Sequence, residues 1–256
     1  MTDQLFSLAG KKALVTGASR GIGQVIAVAF AQAGADVALA ARTEAGLAET
    51  AATVRDQGRQ AVVIPADLAS RDAAEDVVKV AIKELGQLDV VVNNAGGSGF
   101  AVQFLDMRQS GWDKVLRLNL DSTMWICQAV GAHMTARGAG SVINVASVAG
   151  LVGAPFLAPY GAAKAGVVSL TKTLAVEWGR SGVRVNALCP GWTATDLNRA
   201  LWDVPDGGAS TIMNVPMARW GRAEEMAGPA VFLASDASSF MTGQVLTIDG
   251  GQTATA

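Results

Sequence analysis

The chain has 256 residues, half of them hydrophobic and 16% charged, with 20 basic side chains against 22 acidic ones. This near-balance, without a run of Lys or Arg, argues against nucleic-acid binding, which needs a concentrated basic footprint. A lone histidine, His133, argues against a His-rich metal site, and Cys127 and Cys189 lie in apolar stretches as expected for buried free thiols.

The opening MTDQLFSLAGKKALV has no basic segment followed by a long apolar one, so no secretory leader is expected. Residues 138–163 carry no charge and are long enough to span a bilayer. They also contain Asn144, Ser147, two prolines and five glycines, which suit a strand, a loop and a helix start better. A soluble, cytoplasmic protein with no membrane segment is the expectation. The mean hydropathy of +0.32 is high for a monomer and suits large subunit interfaces.

Taken in chain order, short β-branched runs alternate with Ala-rich helical stretches. KALVT (Lys12–Thr16) predicts the first strand and 21–34 the first helix. DVALAA (Asp36–Ala41) and 60–66 follow as strands, with a helix over 44–57 between them. A helix over 72–85, a strand over 88–94 and a long helix over 112–136 come next. A strand at 140–147, a helix at 159–179 and strands at 183–189 and 244–250 complete the series. Strands separated by helices of this length imply parallel βαβ crossovers and a sheet covered on both faces. With no linker or repeat, we expect an α/β chain over 1–256, a single-domain doubly wound Rossmann fold with a seven-stranded parallel sheet. Such sheets bind ligands beyond the carboxyl ends of their strands, so the loops there are where chemistry is sought.

The loop after the first strand reads TGASRGIG, with glycines at Gly17, Gly21 and Gly23. Missing side chains let the backbone approach a pyrophosphate, and the next helix offers its free N–H groups and positive dipole end. Ser19, Arg20 and Ile22 complete this candidate dinucleotide loop. At the end of the second strand, an NAD site places an acid for the ribose hydroxyls. Here Ala41 stands at that position and Arg42 follows, with Arg20 nearby. Two guanidiniums and no carboxylate favour a 2′-phosphate, hence NADP(H) over NAD(H). Asp67 and Leu68 after the third strand are candidates for the adenine. Asn94, Ala95 and Gly96 after the fourth are candidates for the ribose, although Asp and Asn-Gly segments are also ordinary turn chemistry.

TGASRGIG, NNAG, Asn119, Ser147, YGAAK and PGWTAT occur in an order and spacing that resembles the short-chain dehydrogenase/reductase family, from about Leu8 to Gly251. The pattern is most similar to 3-oxoacyl-carrier-protein reductase-like and gluconate 5-dehydrogenase-like members. The resemblance implies an NADP(H)-dependent oxidoreductase that interconverts a carbonyl and a secondary alcohol by hydride transfer. It implies four catalytic residues: Tyr160 as general acid/base, Lys164 lowering the phenol pKa and holding the nicotinamide ribose, Ser147 binding the reacting oxygen, and Asn119 holding a water that links Lys164 to solvent. Tyr160 is the only tyrosine, and Lys164, four residues on, shares its helix face. The resemblance also places the nicotinamide carboxamide against Pro190, Gly191, Thr193 and Thr195, and implies a homotetramer built on the helices at 112–136 and 159–179 and the C-terminal strand region. The small-molecule substrate, a ketone, keto-acid or keto-sugar, is expected under a lid at about 196–216 that carries Leu197, Leu201, Trp202, Val204 and Met213. Singly, Ser147 reads as well as a loop cap, Asn119 as a tolerated helix polar residue and Tyr160 as a wall residue. A non-catalytic NADP(H)-binding sensor on the same fold is the competing reading. Keeping all four residues distinguishes the enzyme from it.

Overall fold

The computed structural model describes residues 2–255. Strands β1 (Lys12–Thr16), β2 (Asp36–Ala41), β3 (Ala61–Pro65), β4 (Val90–Asn93), β5 (Gly140–Val145), β6 (Val183–Pro190) and β7 (Val245–Ile248) form one sheet. Its order is β3-β2-β1-β4-β5-β6-β7, and every pairing is parallel. The direction of strand progression therefore reverses between β1 and β4, which opens a crevice at their carboxyl ends.

Alternation along the strands divides the core in two. On one face Ala13, Val15, Val37, Leu39, Ile143 and Leu188 pack against α1 (Gly21–Gln32) and α2 (Glu44–Asp56). On the other, Leu14, Ala38, Val91 and Val142 meet α3 (Arg71–Leu85). Local signals set the helix ends: the Thr43 hydroxyl accepts from Gly46 N–H, and Ser70 from Ala73 N–H, at the starts of α2 and α3. Gly86 takes φ 83° and closes α3 in the left-handed conformation.

The long helix expected over 112–136 is two helices, α4 (Gln109–Leu116) and α5 (Ser122–Arg137), joined by a π-helical turn over Arg117–Asp121. In that turn Ser122 N–H donates to the Arg117 carbonyl, five residues back. α6 (Ala158–Trp178) matches the expected 159–179 closely. An additional helix, α7 (Ala227–Ala234), fills the gap before β7, where the sequence reading has none. AGPAVFLA is apolar all round, short, and contains Gly228 and Pro229, so it has no amphipathic stripe to identify it. It packs on the α1 face through Ala230, Leu233 and Ala234. The uncharged stretch 138–163 spans β5, a loop and the start of α6, and among the described residues no helix is long and apolar enough to cross a membrane.

A buried polar chain ties α6 to the sheet. Asn144 Nδ2 on β5 donates to Thr171 Oγ1 (2.9 Å), which donates to the Val167 carbonyl (2.8 Å). Asn93 Nδ2 on β4 donates to Asn144 Oδ1 at 2.9 Å. Removing one partner leaves another buried group unpaired. Thr171→Val is therefore expected to lower the unfolding free energy by about 1–3 kcal/mol in urea denaturation at unchanged m. Thr173→Val, whose hydroxyl lies on the exposed face of the same helix, should change it by less than about 0.5 kcal/mol.

Candidate active site

Thr16, the last residue of β1, organises the crevice. Its Oγ1 donates to the Val92 carbonyl (3.2 Å) and accepts from the N–H groups of Asn94 (2.9 Å) and Ala95 (3.1 Å). Asn94 Nδ2 donates in turn to the carbonyls of Thr16 (2.9 Å) and Gly17 (3.2 Å), so this amide braces the glycine loop. From α2, Thr50 Oγ1 donates to the Ala18 carbonyl at 2.9 Å. Neither Thr16 nor Thr50 is singled out by the sequence: Thr16 closes an apolar strand, and Thr50 follows Glu49 in an ordinary helix.

The glycine loop leads directly into α1. Gly21 adopts φ 57°, and a side chain there would meet Thr195 Cγ2 at 3.5 Å, so the loops after β1 and β6 face each other across the crevice. Arg20 precedes α1 without capping it, and the first turn has no acidic residue, which leaves the helix terminus open to an anion. Ser19 lies against Gly46, while Ile22 and Gly23 form the first turn over the core. Arg20 and Arg42 are both exposed and have no ion-pair partner among the described residues. Asp67 is exposed with Oδ1 accepting from Ala69 N–H (3.1 Å), and Leu68 is buried beside it.

The four expected catalytic side chains come together at the ends of β4, β5 and α6. Lys164 is buried, its Nζ 2.8 Å from the Val145 carbonyl and 5.6 Å from the Tyr160 ring centre. Asn119 sits in the π turn, fully buried; Oδ1 accepts from Gly97 N–H (2.9 Å) and Nδ2 donates to the carbonyls of Gly97 (3.0 Å) and Val115 (2.8 Å). A methyl on Gly96 would lie 2.6 Å from Asn119 Oδ1 and 3.3 Å from Lys164 Nζ, so only glycine fits between them. The Ser147 hydroxyl accepts from Ala149 N–H (3.2 Å), capping a short turn, and is near enough to Tyr160 to act on its phenol.

Burial pushes the Tyr160 phenol above its usual 10, against an opposing contribution from the Ser147 hydroxyl. Burial also brings Lys164 down to about 8. Beneath them Cys189 is a buried free thiol pushed up to about 11 by desolvation, and Cys127 lies at about 12 for the same reason.

After β6, Pro190 is buried and Gly191 lies against Asp249 with no room for a side chain. Thr193 is buried, with Oγ1 donating to the Gly191 carbonyl at 3.2 Å. Thr195 N–H and Oγ1 both donate to Asn198 Oδ1 (2.9 and 3.1 Å), and Asn198 Nδ2 returns to the Thr193 carbonyl (2.9 Å). His133 stands apart from the crevice, its Nε2 accepting from Leu88 N–H at 3.2 Å. Arg137 pairs with Asp89 at 2.8 Å and donates to the Leu88 carbonyl.

Two features of this crevice suit an anionic ligand: an uncapped helix terminus and two guanidiniums without an ion-pair partner among the described residues. A family model described as enoyl-(acyl carrier protein) reductase matches residues 17–253. The chain is 39% identical over 249 residues to gluconate 5-dehydrogenase of Gluconobacter oxydans, covering 97% of each. It is 40% identical over 245 residues to a 3-oxoacyl-[acyl-carrier-protein] reductase of Chlamydia trachomatis, covering 95% of this chain and 98% of that one. A gluconate 5-dehydrogenase from Burkholderia cenocepacia, solved in complex with NADP and tartrate, superposes with a TM-score of 0.93 at 38% identity over 99% of both chains.

The Lys164 shift makes a prediction about stability. The unfolded side chain titrates near 10.5 and the folded one at about 8, so between these values the unfolded chain holds a proton that the folded chain has released. Stability from this group rises with pH across that window. Lys164→Met removes the buried charge and should be more stable than wild type by roughly 1–3 kcal/mol near pH 7, with the gap closing toward pH 10. Urea denaturation at several pH values checks this; a gap independent of pH would refute it.

Proposed function

The chain belongs to the short-chain dehydrogenase/reductase family, and from that premise we propose that it is an NADP(H)-dependent carbonyl reductase with Tyr160 as its proton donor. The observation that carries this reading is the convergence of Asn119, Ser147, Tyr160 and Lys164 at the strand ends beside the glycine loop.

The Ser147 and Tyr160 hydroxyls, close to each other at the strand ends, bind a carbonyl oxygen and hold it for protonation. A phenol raised above 10 is protonated at neutral pH, which suits it to donate during reduction. Lys164, at about 8, is the stronger acid and stabilises the phenolate that donation leaves. The bound nicotinamide supplies the hydride in reduction and accepts it in the reverse direction. Gly17, Gly21, Gly23 and the α1 terminus would hold the pyrophosphate, and Thr193 and Thr195 the carboxamide. Asn119 holds the β4 loop through Gly97, which keeps Gly96 against Lys164. A water on Asn119 leading from Lys164 to solvent completes the proposed proton route.

Preference for NADP(H) rests on Arg20 and Arg42, both exposed and unpaired, with Ala41 in place of an acid. Segment 196–216 is the proposed lid. Trp202 Nε1 donates to the Thr195 carbonyl at 2.9 Å, which ties its first turn to the cofactor side. The two free thiols suit the reducing cytoplasm.

A homotetramer would cover Val176 on α6 and Phe240 before β7, two of the most exposed apolar side chains. Light scattering at micromolar concentration should give four times the chain mass, and a monomer would refute the assembly. For the chemistry, Tyr160→Phe should lower kcat for ketone reduction by about 1,000-fold with NADPH affinity retained. Arg42→Ala should weaken NADPH binding roughly 10- to 100-fold and leave NADH binding unchanged, since a charge-assisted contact is worth about 1.5–3 kcal/mol. Undiminished turnover in the first variant, or equal NADPH binding by the second, would overturn the corresponding assignment.

A further inference from the structure

Three segments border the space in front of Tyr160 and Ser147: the loop after β4, the loop after β5 and the segment after β6. Residues 94–104 and 147–157 contain no charged side chain at all. Residues 190–216 contain one cation, Arg199, against Asp196, Asp203 and Asp206. Arg199 already has a carboxylate partner: it pairs with Asp196 at 2.5 Å and lies 5.9 Å from the Trp202 ring centre. The remaining cation of the site, Lys164, is buried against the Val145 carbonyl. A substrate carboxylate would therefore meet a surplus of negative charge on these segments, whose one cation is already paired.

Some polar atoms of the lid are engaged within it: Asn198 is held by Thr193 and Thr195, and the Trp202 indole N–H by the Thr195 carbonyl. Beside the exposed carboxylates, the lid presents the large apolar side chains Leu197, Leu201, Val204 and Met213. Leu197 lies over Gly97, where a methyl would meet its Cδ atoms at 3.2–3.3 Å, joining the lid to the β4 loop. A depression of about 680 Å³ between the β5 loop and the end of the lid is lined by Val152, Met213, Val215 and Pro216, with Asn214 and Gln252 its polar members. Phe156, on the same loop as Val152, is 56% exposed and held at φ 67° by a hydrogen bond from Val102 N–H to its carbonyl (3.0 Å). A left-handed conformation in a bulky residue is strain that the surrounding structure must support, and such strain gathers at ligand-contacting positions.

We propose that the substrate is an uncharged ketone whose body is hydrocarbon, alicyclic or aromatic, and that sugar acids are rejected by charge. The inference rests on the carbonyl-reductase reading above and adds a substrate class to it. It also separates this chain from the relatives named for gluconate, whose substrates carry a carboxylate.

The test compares NADPH oxidation by the full chain with 3-methylcyclohexanone, the neutral keto-sugar L-sorbose and the anion 5-keto-D-gluconate. The cyclohexanone should have a kcat/KM at least about 100-fold above that of the keto-acid, since rejection by unpaired charge adds to the loss of apolar contact. Raising the salt concentration should improve the keto-acid alone, by screening the lid carboxylates. Met213→Arg should raise kcat/KM for the keto-acid about 10-fold relative to the cyclohexanone, because it supplies the missing cation. A keto-acid or keto-sugar that matches or exceeds the cyclohexanone overturns the substrate class and leaves the reductase reading standing. NADPH binding with no reduction of any of the three overturns both.

Discussion

The site is built around the burial of one ammonium. Lys164 is nearly inaccessible, and its Nζ donates to a main-chain carbonyl, that of Val145. A buried charge without a close carboxylate is unfavourable unless polar groups surround it. The neighbouring geometry follows from this requirement: Gly96 has no side chain so that the β4 loop can close on Nζ, and Asn119 stands on the other side of that glycine. The same burial makes Lys164 a stronger acid and Tyr160 a weaker one, so the two side chains on one face of α6 are pushed apart in acidity.

Holding that arrangement falls to the sheet beneath. The chain from Asn93 through Asn144 to Thr171 fixes how α6 lies on β4 and β5. Apolar packing alone would let a helix slide by fractions of an ångström. Directional bonds in a low-dielectric interior specify one position. At the other side of the crevice, Thr16 and Asn94 join β1 to β4 at the point where the strand order reverses. Both lobes of the site are thus referred to the same central strand.

Much of this was legible in the sequence, and the exceptions have physical reasons. β1 and β2 fall on the expected residues because alternating, fully buried β-branched and small residues end sharply at Gly17 and Arg42. The four residues around the reacting centre could be named because their chemistry is distinctive: a single tyrosine, a lysine one turn on, and a hydroxyl at a strand end. α7 could not, because a short helix buried on all sides has no polar face to mark it. The bracing roles of Thr16, Thr50 and the Asn94 amide were invisible because they depend on strands about 30 to 80 residues apart in the chain. The effect of burial on Tyr160 and Lys164 could not be read either, because burial is a property of the folded surroundings, and the motif says nothing about it.

The π turn at Arg117–Asp121 also bears on how this chain can change over evolutionary time. It holds one residue more than an α-helix would over the same rise, and Asn119 lies within it. Deleting any single residue between 109 and 121 would let the helix relax to ordinary α geometry, locally the more comfortable state. The flanking helices would keep their places, since the residue lost is the one held in excess, but residues within the turn would rotate by up to about 100°, turning Asn119 away from Gly97. A helix that would absorb most point substitutions is thus intolerant of a change in length, and insertions or deletions should be found in the loops around the substrate, where no such register has to be kept.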